Sequence, residues 1–316
     1  MTPEYKYTLE DLKTMQEWPL ERKIRVTQTR IIEFYQRLNG AVAVSISGGK
    51  DSAVLLDLAR RCFPDIEAVF VDTGLEFPEV RKMAINTPNV TVLKPEKTFK
   101  EVIEEHGWCF PSKDMAAAID GAKRGVKWGL NYLKGLNIDG TPSLYKQTRH
   151  MKWAFLIDAP FKISAKCCYF IKEKPLAKYH RASGKHPIIG IMAADSKRRE
   201  QAFRRTGCNI FDSEKRKVSK PLSFWTQQDI LKYIYVTELP IASIYGDVVK
   251  TTNLEGQESF FTTGEQHTGC MFCLVGCHLD KINRFQKMRW THPKHHDFII
   301  NKLKAKEILT YLGINY

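Results

Sequence analysis

The chain has 316 residues, 43% of them hydrophobic, with 49 Lys and Arg against 35 Asp and Glu for a formal net charge of +14. This is an ordinary globular composition with enough length for one large core or two modest ones, and it carries no internal repeat or low-complexity linker. No run approaches the roughly 20 apolar residues of a membrane span and no amino-terminal stretch resembles a signal peptide, so a cytoplasmic protein with no membrane partner is expected. The basic excess attracts polyanions. It leaves two readings open, a nucleic-acid partner or a soluble basic surface around a nucleotide pocket.

Residues from about Tyr7 to Asn39 read as helical, with Ile24, Ile31, Phe34, Tyr35 and Leu38 on one face before the Asn39-Gly40 stop, so residues 1–40 form an amino-terminal helical segment. Ala41-Val42-Ala43-Val44 then reads as a buried parallel strand, and Val54, Leu55, Leu58 and Ala59 recur at helical spacing. Between them lies Ser47-Gly48-Gly49-Lys50-Asp51-Ser52. The two glycines let backbone N–H groups face an anion at the positive end of the following helix, the serines add hydroxyls and Lys50 adds charge. The spacing is not that of a Walker A loop, which needs four residues between its first glycine and the Gly-Lys pair. A bare Gly-Gly corner is also an ordinary turn.

Pro64-Asp65 breaks the chain, Ile66 to Val71 forms a second strand ending in Asp72-Thr73-Gly74, a helix runs from Glu79 to Ile85, and Val90 to Leu93 forms a third strand. This rhythm predicts an α/β fold with a doubly wound, mostly parallel sheet and its ligand at the carboxyl ends of the strands. From about Glu96 to Ala165 the pattern is less regular and suits a helical lid inserted in a nucleotide-binding domain of residues 41–240. Within it Lys123 to Lys134 interleaves basic and aromatic residues, a pattern that suits a nucleic-acid strand or the solvated face of an amphipathic helix. A further strand is expected at Pro187 to Met192, and a helix at Trp225 to Tyr235 capped by Thr226 and Asp229. Residues 241–316 make a carboxyl-terminal extension that ends in an amphipathic helix from Phe298 to Leu312.

Eight cysteines in a cytosolic chain are poor candidates for disulfides. Cys62, Cys109 and Cys208 are scattered, whereas Cys167-Cys168 and Cys270-x-x-Cys273-x-x-x-Cys277 are grouped. Soft anionic thiolates suit iron–sulfur chemistry, and Cys-x-x-Cys is also a common half-site for structural zinc. Lys166, Lys172 and Lys174 flank the first pair and would lower its thiol pKa values.

Taken together in this order, the motifs resemble the phosphoadenosine and adenosine phosphosulfate reductase family of the PP-loop ATP pyrophosphatase superfamily, which includes DNA-phosphorothioation members. The resemblance rests on Ser47 to Ser52, Val71 to Glu79, Cys167-Cys168, Gly190 to Arg199, Pro221 to Tyr245 and Gly269 to Cys273. It implies an adenine nucleotide alpha hydrolase-like fold. The ligand is ATP or an adenylyl sulfate, held with Mg²⁺ by Ser47, Gly48, Gly49, Lys50, Asp51 and Ser52, with Asp72, Thr73 and Gly74 at the adenosine and Ser196 and Arg199 at its anionic end. It further implies one 4Fe–4S cluster on Cys167, Cys168, Cys270 and Cys273.

Two departures matter. The family usually has arginine where this chain has Met192, and it attacks sulfate sulfur with a cysteine in a later Glu-Cys-Gly-Leu-His segment that has no counterpart after Cys277. Lys50 and Asp51 are therefore the candidate catalytic residues, together with Cys277, which stands open as nucleophile, persulfide carrier, replacement cluster ligand or spare thiol. The expected activity is ATP pyrophosphatase chemistry that adenylates a nucleic acid for sulfur transfer, with a cysteine desulfurase as sulfur donor. Its alternatives are a sulfonucleotide reductase using a relocated or partner-supplied thiol and a thiol reductant, and a regulatory or defence component that binds nucleotide without turnover.

Overall fold

The strands β1 Val42–Ile46, β2 Ala68–Val71, β3 Val90–Leu93, β4 His186–Ile189, β5 Asn209–Ile210 and β6 Val218–Ser219 form one sheet in the order β3-β2-β1-β4-β6-β5. All neighbours are parallel except β5 against β6, and Val44 of β1 lies beside Ala68 on one side and Ile188 on the other. This computed structural model describes residues 5–211 and 217–316. The chain winds outward from β1 through β2 to β3 and then returns to β4 on the other side of β1. The carboxyl ends of β1 and β4 therefore flank a topological switch point, where open α/β sheets bind their ligands.

β1 and β2 are buried almost throughout, as strands covered on both faces must be. The helix Lys50–Cys62 buries Val54, Leu55, Leu58 and Ala59, and the helix Leu20–Arg37 buries Ile31 and Phe34 in the same core as Trp225 and Tyr233. One core charge is handled by pairing. Lys23 is 1% exposed and its ammonium donates to Asp229 Oδ2 at 2.6 Å and to the Gln16 carbonyl at 2.6 Å. Asp229 also completes the capping box with Thr226 at the start of the helix Gln227–Thr237. Beyond it the hairpin β7 Val248–Thr252 and β8 Glu258–Thr262 is tied to that helix by two Gln228 bonds to the backbone of Phe260.

Three elements differ from the sequence expectation. The amino-terminal helix is two helices, Leu9–Glu17 and Leu20–Arg37, because Pro19 lacks an N–H and forces Trp18 to an extended ψ of 146°. β4 stops at Ile189, since Ala193 N–H donates to the Ser223 carbonyl at 2.8 Å and the backbone has already left the sheet. The tail breaks at Lys304, whose φ of 58° separates Phe298–Lys302 from the helix Ala305–Tyr311.

Met1–Lys94 and Leu176–Thr268 form one compact unit, and Pro95–Pro175 and Gly269–Tyr316 form another. The first contains every strand described above. The second is helical. Most of the segment expected as a lid thus shares a unit with the Cys270 to Cys277 segment, while residues 241–268 belong with the Ser47 to Ser52 loop rather than with the tail. In the second unit the helices Lys113–Lys123 and Lys127–Leu133 cross where Gly129 meets Ala118, so closely that a Cβ on Gly129 would lie 2.6 Å from the Ala118 carbonyl oxygen. Among the described residues no helix is long and apolar enough to cross a membrane.

The Lys23 to Asp229 pair makes a direct test of the first unit. Lys23→Met should lower the unfolding free energy by about 3 kcal/mol, because it strands a largely buried carboxylate. Urea unfolding should show a lower midpoint with unchanged slope, and adding Asp229→Asn should restore part of the loss.

Candidate functional site

The β1 loop is shaped by what its glycines leave out. Gly48 has φ +74°, and a Cβ there would lie 2.6 Å from the Val80 carbonyl oxygen of the helix Pro78–Asn86. Gly49 is the N-cap of the helix Lys50–Cys62 and provides no side-chain cap for the positive end of that helix. Ser47 and Ser52 face each other at 3.3 Å between hydroxyls, Ser52 Oγ donates to the Gly49 carbonyl at 2.7 Å, and Ser47 N–H donates to Ser52 Oγ at 3.2 Å. The loop is thus held open by its own hydroxyls.

Lys50 does not lie in solvent. It is 2% exposed, with its ammonium donating to the Gln266 carbonyl at 2.9 Å, lying 3.5 Å from Asp51 Oδ1 and 5.4 Å from the centre of the Tyr245 ring. Asp51 Oδ1 is itself buried without a hydrogen bond. The Tyr245 hydroxyl accepts from Lys50 N–H at 3.4 Å and bonds to Thr268. Burial pushes the Tyr245 phenol upward, so it stays neutral. Gln266 and Thr268 are not legible in the sequence, because nothing in their local pattern points to a loop that lies about 200 residues earlier in the chain.

At the end of β2, Asp72 is already engaged. Arg81 donates to its two oxygens at 2.7 Å each, and this bidentate contact holds the carboxyl below its usual range against the opposing effect of burial. Each Asp72 oxygen keeps a second lone pair, so the carboxylate placed at the adenosine by the resemblance is oriented by Arg81 and can still accept a hydroxyl. An arginine one turn into the helix that follows Asp72 was the available signal for this pair. Thr73 pairs instead with Glu76 through both its amide and its hydroxyl, and Gly74 takes φ +71° with open space around it.

After β4 the segment stays near the loop, since a Cβ on Gly190 would touch the Asp51 carbonyl and Leu55. Ser196 N-caps the helix Lys197–Thr206 by accepting from Arg199 N–H at 3.3 Å, while the Arg199 guanidinium pairs with Asp195. Met192 is buried. Beside the loop a cavity of about 220 Å³ is walled by Ile46, Ala53, Leu56, Met83 and Pro240, with Ser52 and Arg60 on its lining.

In the helical unit the grouped thiols come near one another. Cys167 and Cys168 share a hydrogen bond that pushes the first thiol up and the second down, to about 5, with Lys113 and Lys172 helping to hold Cys168 as thiolate against burial. Cys167 also feels the charges of Cys270 and Cys273. The guanidinium of Arg284 fastens the second pair, donating to the carbonyls of Cys270 and Val275 at 3.3 Å each. Lys113 is the cation the sequence missed. Lys174, by contrast, pairs with Glu96 at 2.5 Å.

The remaining thiols are poor nucleophiles. Cys277 is fully buried and Cys109, beside Cys273 and Cys168, is largely so; burial pushes each up to about 12. Cys208 is buried with the same result, and burial raises Cys62 as well. None of the eight cysteines, all of which are among the described residues, is in a disulfide. Nor do three or more His, Cys, Asp or Glu among the described residues stand as a ready-made metal cage.

A sequence model of the family described as "Phosphoadenosine phosphosulfate reductase domain" matches residues 41–120 and 136–279, well over half of the chain. Adenosine 5'-phosphosulfate reductase of Staphylococcus haemolyticus is 23% identical over 227 residues, covering 68% of this chain and 70% of that protein. The Staphylococcus epidermidis enzyme of the same name is 24% identical over 221 residues, covering 67% and 68%. An uncharacterized protein of Methanocaldococcus jannaschii is 40% identical over 100 residues, but this spans 30% of the chain and only 24% of that protein. Among solved structures, FMN adenylyltransferase of Candida glabrata aligns over 76% of this chain and 69% of its own at 14% identity with a TM-score of 0.39, a likeness too loose to bear on function.

The Asp72 to Arg81 pair carries a pH signature. A carboxyl whose pKa is lowered on folding contributes stability that is present above its unfolded value near 4 and lost as pH falls through its folded value. Arg81→Met should cost about 1 kcal/mol at pH 7, a modest figure because the guanidinium is half exposed, and nothing once both proteins are below that window. Denaturant midpoints measured from pH 7 down to pH 2 check it.

Proposed function

Because the chain belongs to the phosphoadenosine phosphosulfate reductase domain family, we propose that it is an enzyme that binds ATP at Ser47 to Ser52 and adenylates a nucleic-acid acceptor for replacement of oxygen by sulfur. The observation that carries this reading is the loop itself: Gly48 at positive φ under Val80, an uncapped helix end, and a buried Lys50 beside a buried, unbonded Asp51 oxygen. A phosphate group there meets backbone donors, the helix dipole and the Lys50 ammonium, which would exchange the Gln266 carbonyl for a phosphate oxygen. Asp51 Oδ1 suits a Mg²⁺ ion carried in by the nucleotide. The neighbouring apolar cavity gives the purine a wall to lie against.

In the chemistry this arrangement serves, an acceptor oxygen attacks the α-phosphorus, its bond to the β-phosphate oxygen breaks, and pyrophosphate leaves. A sulfide-level nucleophile, supplied by a desulfurase-type donor with a thiol reductant, then attacks the activated carbon and AMP departs with the oxygen. The chain's own part is to neutralise the departing pyrophosphate through Lys50 and the loop amides. Cys167, Cys168, Cys270 and Cys273 fit a 4Fe–4S cluster by donor chemistry, being soft thiols within charge range of one another and flanked by Lys113 and Lys172. When bound, such a cluster supplies a redox-active or sulfur-anchoring centre.

The staphylococcal relatives favour a second reading, reduction of an adenylyl sulfate. That reaction needs an accessible thiolate to attack sulfur, and the burial of Cys277, Cys109 and Cys208 supports the ATP reading over it. The buried Met192 where the resemblance expects an arginine argues the same way.

Incubation with ATP, Mg²⁺ and total cellular RNA or DNA should release pyrophosphate, and Lys50→Met should reduce that rate at least about 100-fold. Sulfite from adenylyl sulfate plus a dithiol, without pyrophosphate from ATP, would establish the second reading instead, and nucleotide binding with neither product would make the chain a sensor. Protein purified without oxygen should absorb broadly at about 400 nm and contain iron, and Cys168→Ala should remove both. A colourless protein with stoichiometric zinc would refute the cluster.

A further inference from the structure

The helical unit presents a second concentration of chemistry besides the thiols. Residues 123–153 contain seven Lys and Arg against a single acid, Asp139. Large apolar side chains in the same stretch stand in solvent: Tyr145 is 62% exposed, Ile138 84% and Leu144 82%, with Trp128 at 43%. The Tyr132 ring stacks on His150 at 4.3 Å between centroids and an interplanar angle of 14°, and Tyr145 meets the same imidazole edge-on at 5.2 Å. Cations accompany the rings. Lys146 Nζ lies 5.4 Å from the Tyr132 centroid, and the Arg149 guanidinium lies 5.7 Å from that of Tyr145.

A cavity of about 350 Å³ opens among these groups, walled by Trp128, Tyr132, Leu136 and Ile138 and carrying one carboxylate, Asp114, and one ammonium, Lys146. The ammonium is held in place by donating to the Leu136 carbonyl at 2.7 Å. Flat apolar walls with one acceptor and one donor match a heterocyclic base, which needs stacking on its faces and hydrogen bonds at its edge. The surrounding cations match the phosphates that such a base brings with it.

From these residues the geometry points to a binding surface for RNA, in which one unpaired base of a loop enters the cavity between Trp128 and Tyr132 while neighbouring nucleotides lie over Tyr145, Lys146 and Arg149. RNA is favoured because a discrete cavity of about 350 Å³ suits a single splayed base, and splayed bases are how folded RNA is read. The surface deepens the proposed function by naming the class of acceptor, and to that extent it rests on that reading.

The test is fluorescence anisotropy of the full chain without nucleotide. Its probes are an RNA hairpin with a seven-base loop, the fully paired RNA, the DNA hairpin of the same sequence, and vesicles of phosphatidylserine and phosphatidylcholine. The RNA hairpin should bind tightest, Tyr145→Ala and Trp128→Ala should each weaken it about tenfold, and Lys146→Gln or Arg149→Gln should reduce the salt slope by about one. Unchanged circular dichroism and ATP binding in Tyr145→Ala show that the fold survives. Equal or tighter binding of duplex, DNA hairpin or vesicles would overturn the proposal, as would no binding or indifference to Tyr145→Ala. Failure here with ATP-dependent pyrophosphate release intact condemns only the RNA surface; RNA binding without pyrophosphate release condemns only the ATP reading.

Discussion

The contact on which the strand-bearing unit depends is the close approach of the β1 loop to the helix Pro78–Asn86. A side chain at position 48 would have to occupy a space 2.6 Å from the Val80 carbonyl oxygen, so only glycine lets the loop turn there at φ +74°. That approach packs the helix after β2 onto the loop, and the start of the same helix supplies Arg81 to Asp72. The sheet order adds the rest. β4 returns beside β1, so the segment from Gly190 onward closes the other side of the switch point.

Several charges of this unit are paired, at the loop, at the end of β2 and in the core. Lys50 is covered by Tyr245 and the Gln266 carbonyl, Asp72 is clamped by Arg81, Arg199 by Asp195 and Lys23 by Asp229. Buried charges left alone are costly, and such pairing keeps them at modest cost until a ligand competes for them. The helical unit works differently. There the thiols Cys167 and Cys168 share a proton beside Lys113, while residues 123–153 leave Trp128, Ile138, Leu144 and Tyr145 in solvent.

The sheet was legible because its signal is local. β-branched runs at Ala41, Ile66 and Val90, each followed by a glycine or proline turn, specify parallel strands with little ambiguity. The grouped thiols were legible as pairs, and the loop as a spacing of small residues. What escaped depends on contacts between residues far apart in sequence: Tyr245 over Lys50, Lys113 beside Cys168, Arg284 on the Cys270 carbonyl. The compact units were hidden for the same reason, since Pro95–Pro175 joins Gly269–Tyr316 through packing that no composition shift marks. Ser196 and Arg199 were visible as a motif, but their partners, a helix N-terminus and Asp195, could only be seen in three dimensions.

The central claim is that the β1 loop holds ATP rather than an adenylyl sulfate. Calorimetric titration of the wild-type chain with the α,β-methylene analogue of ATP in Mg²⁺, in parallel with adenylyl sulfate, tests it most directly. The account predicts that the ATP analogue binds the more tightly of the two and that its affinity falls at least tenfold in Lys50→Met, in keeping with a charge-assisted phosphate contact. Tighter binding of adenylyl sulfate, with the ATP analogue weak and indifferent to Lys50, would contradict it.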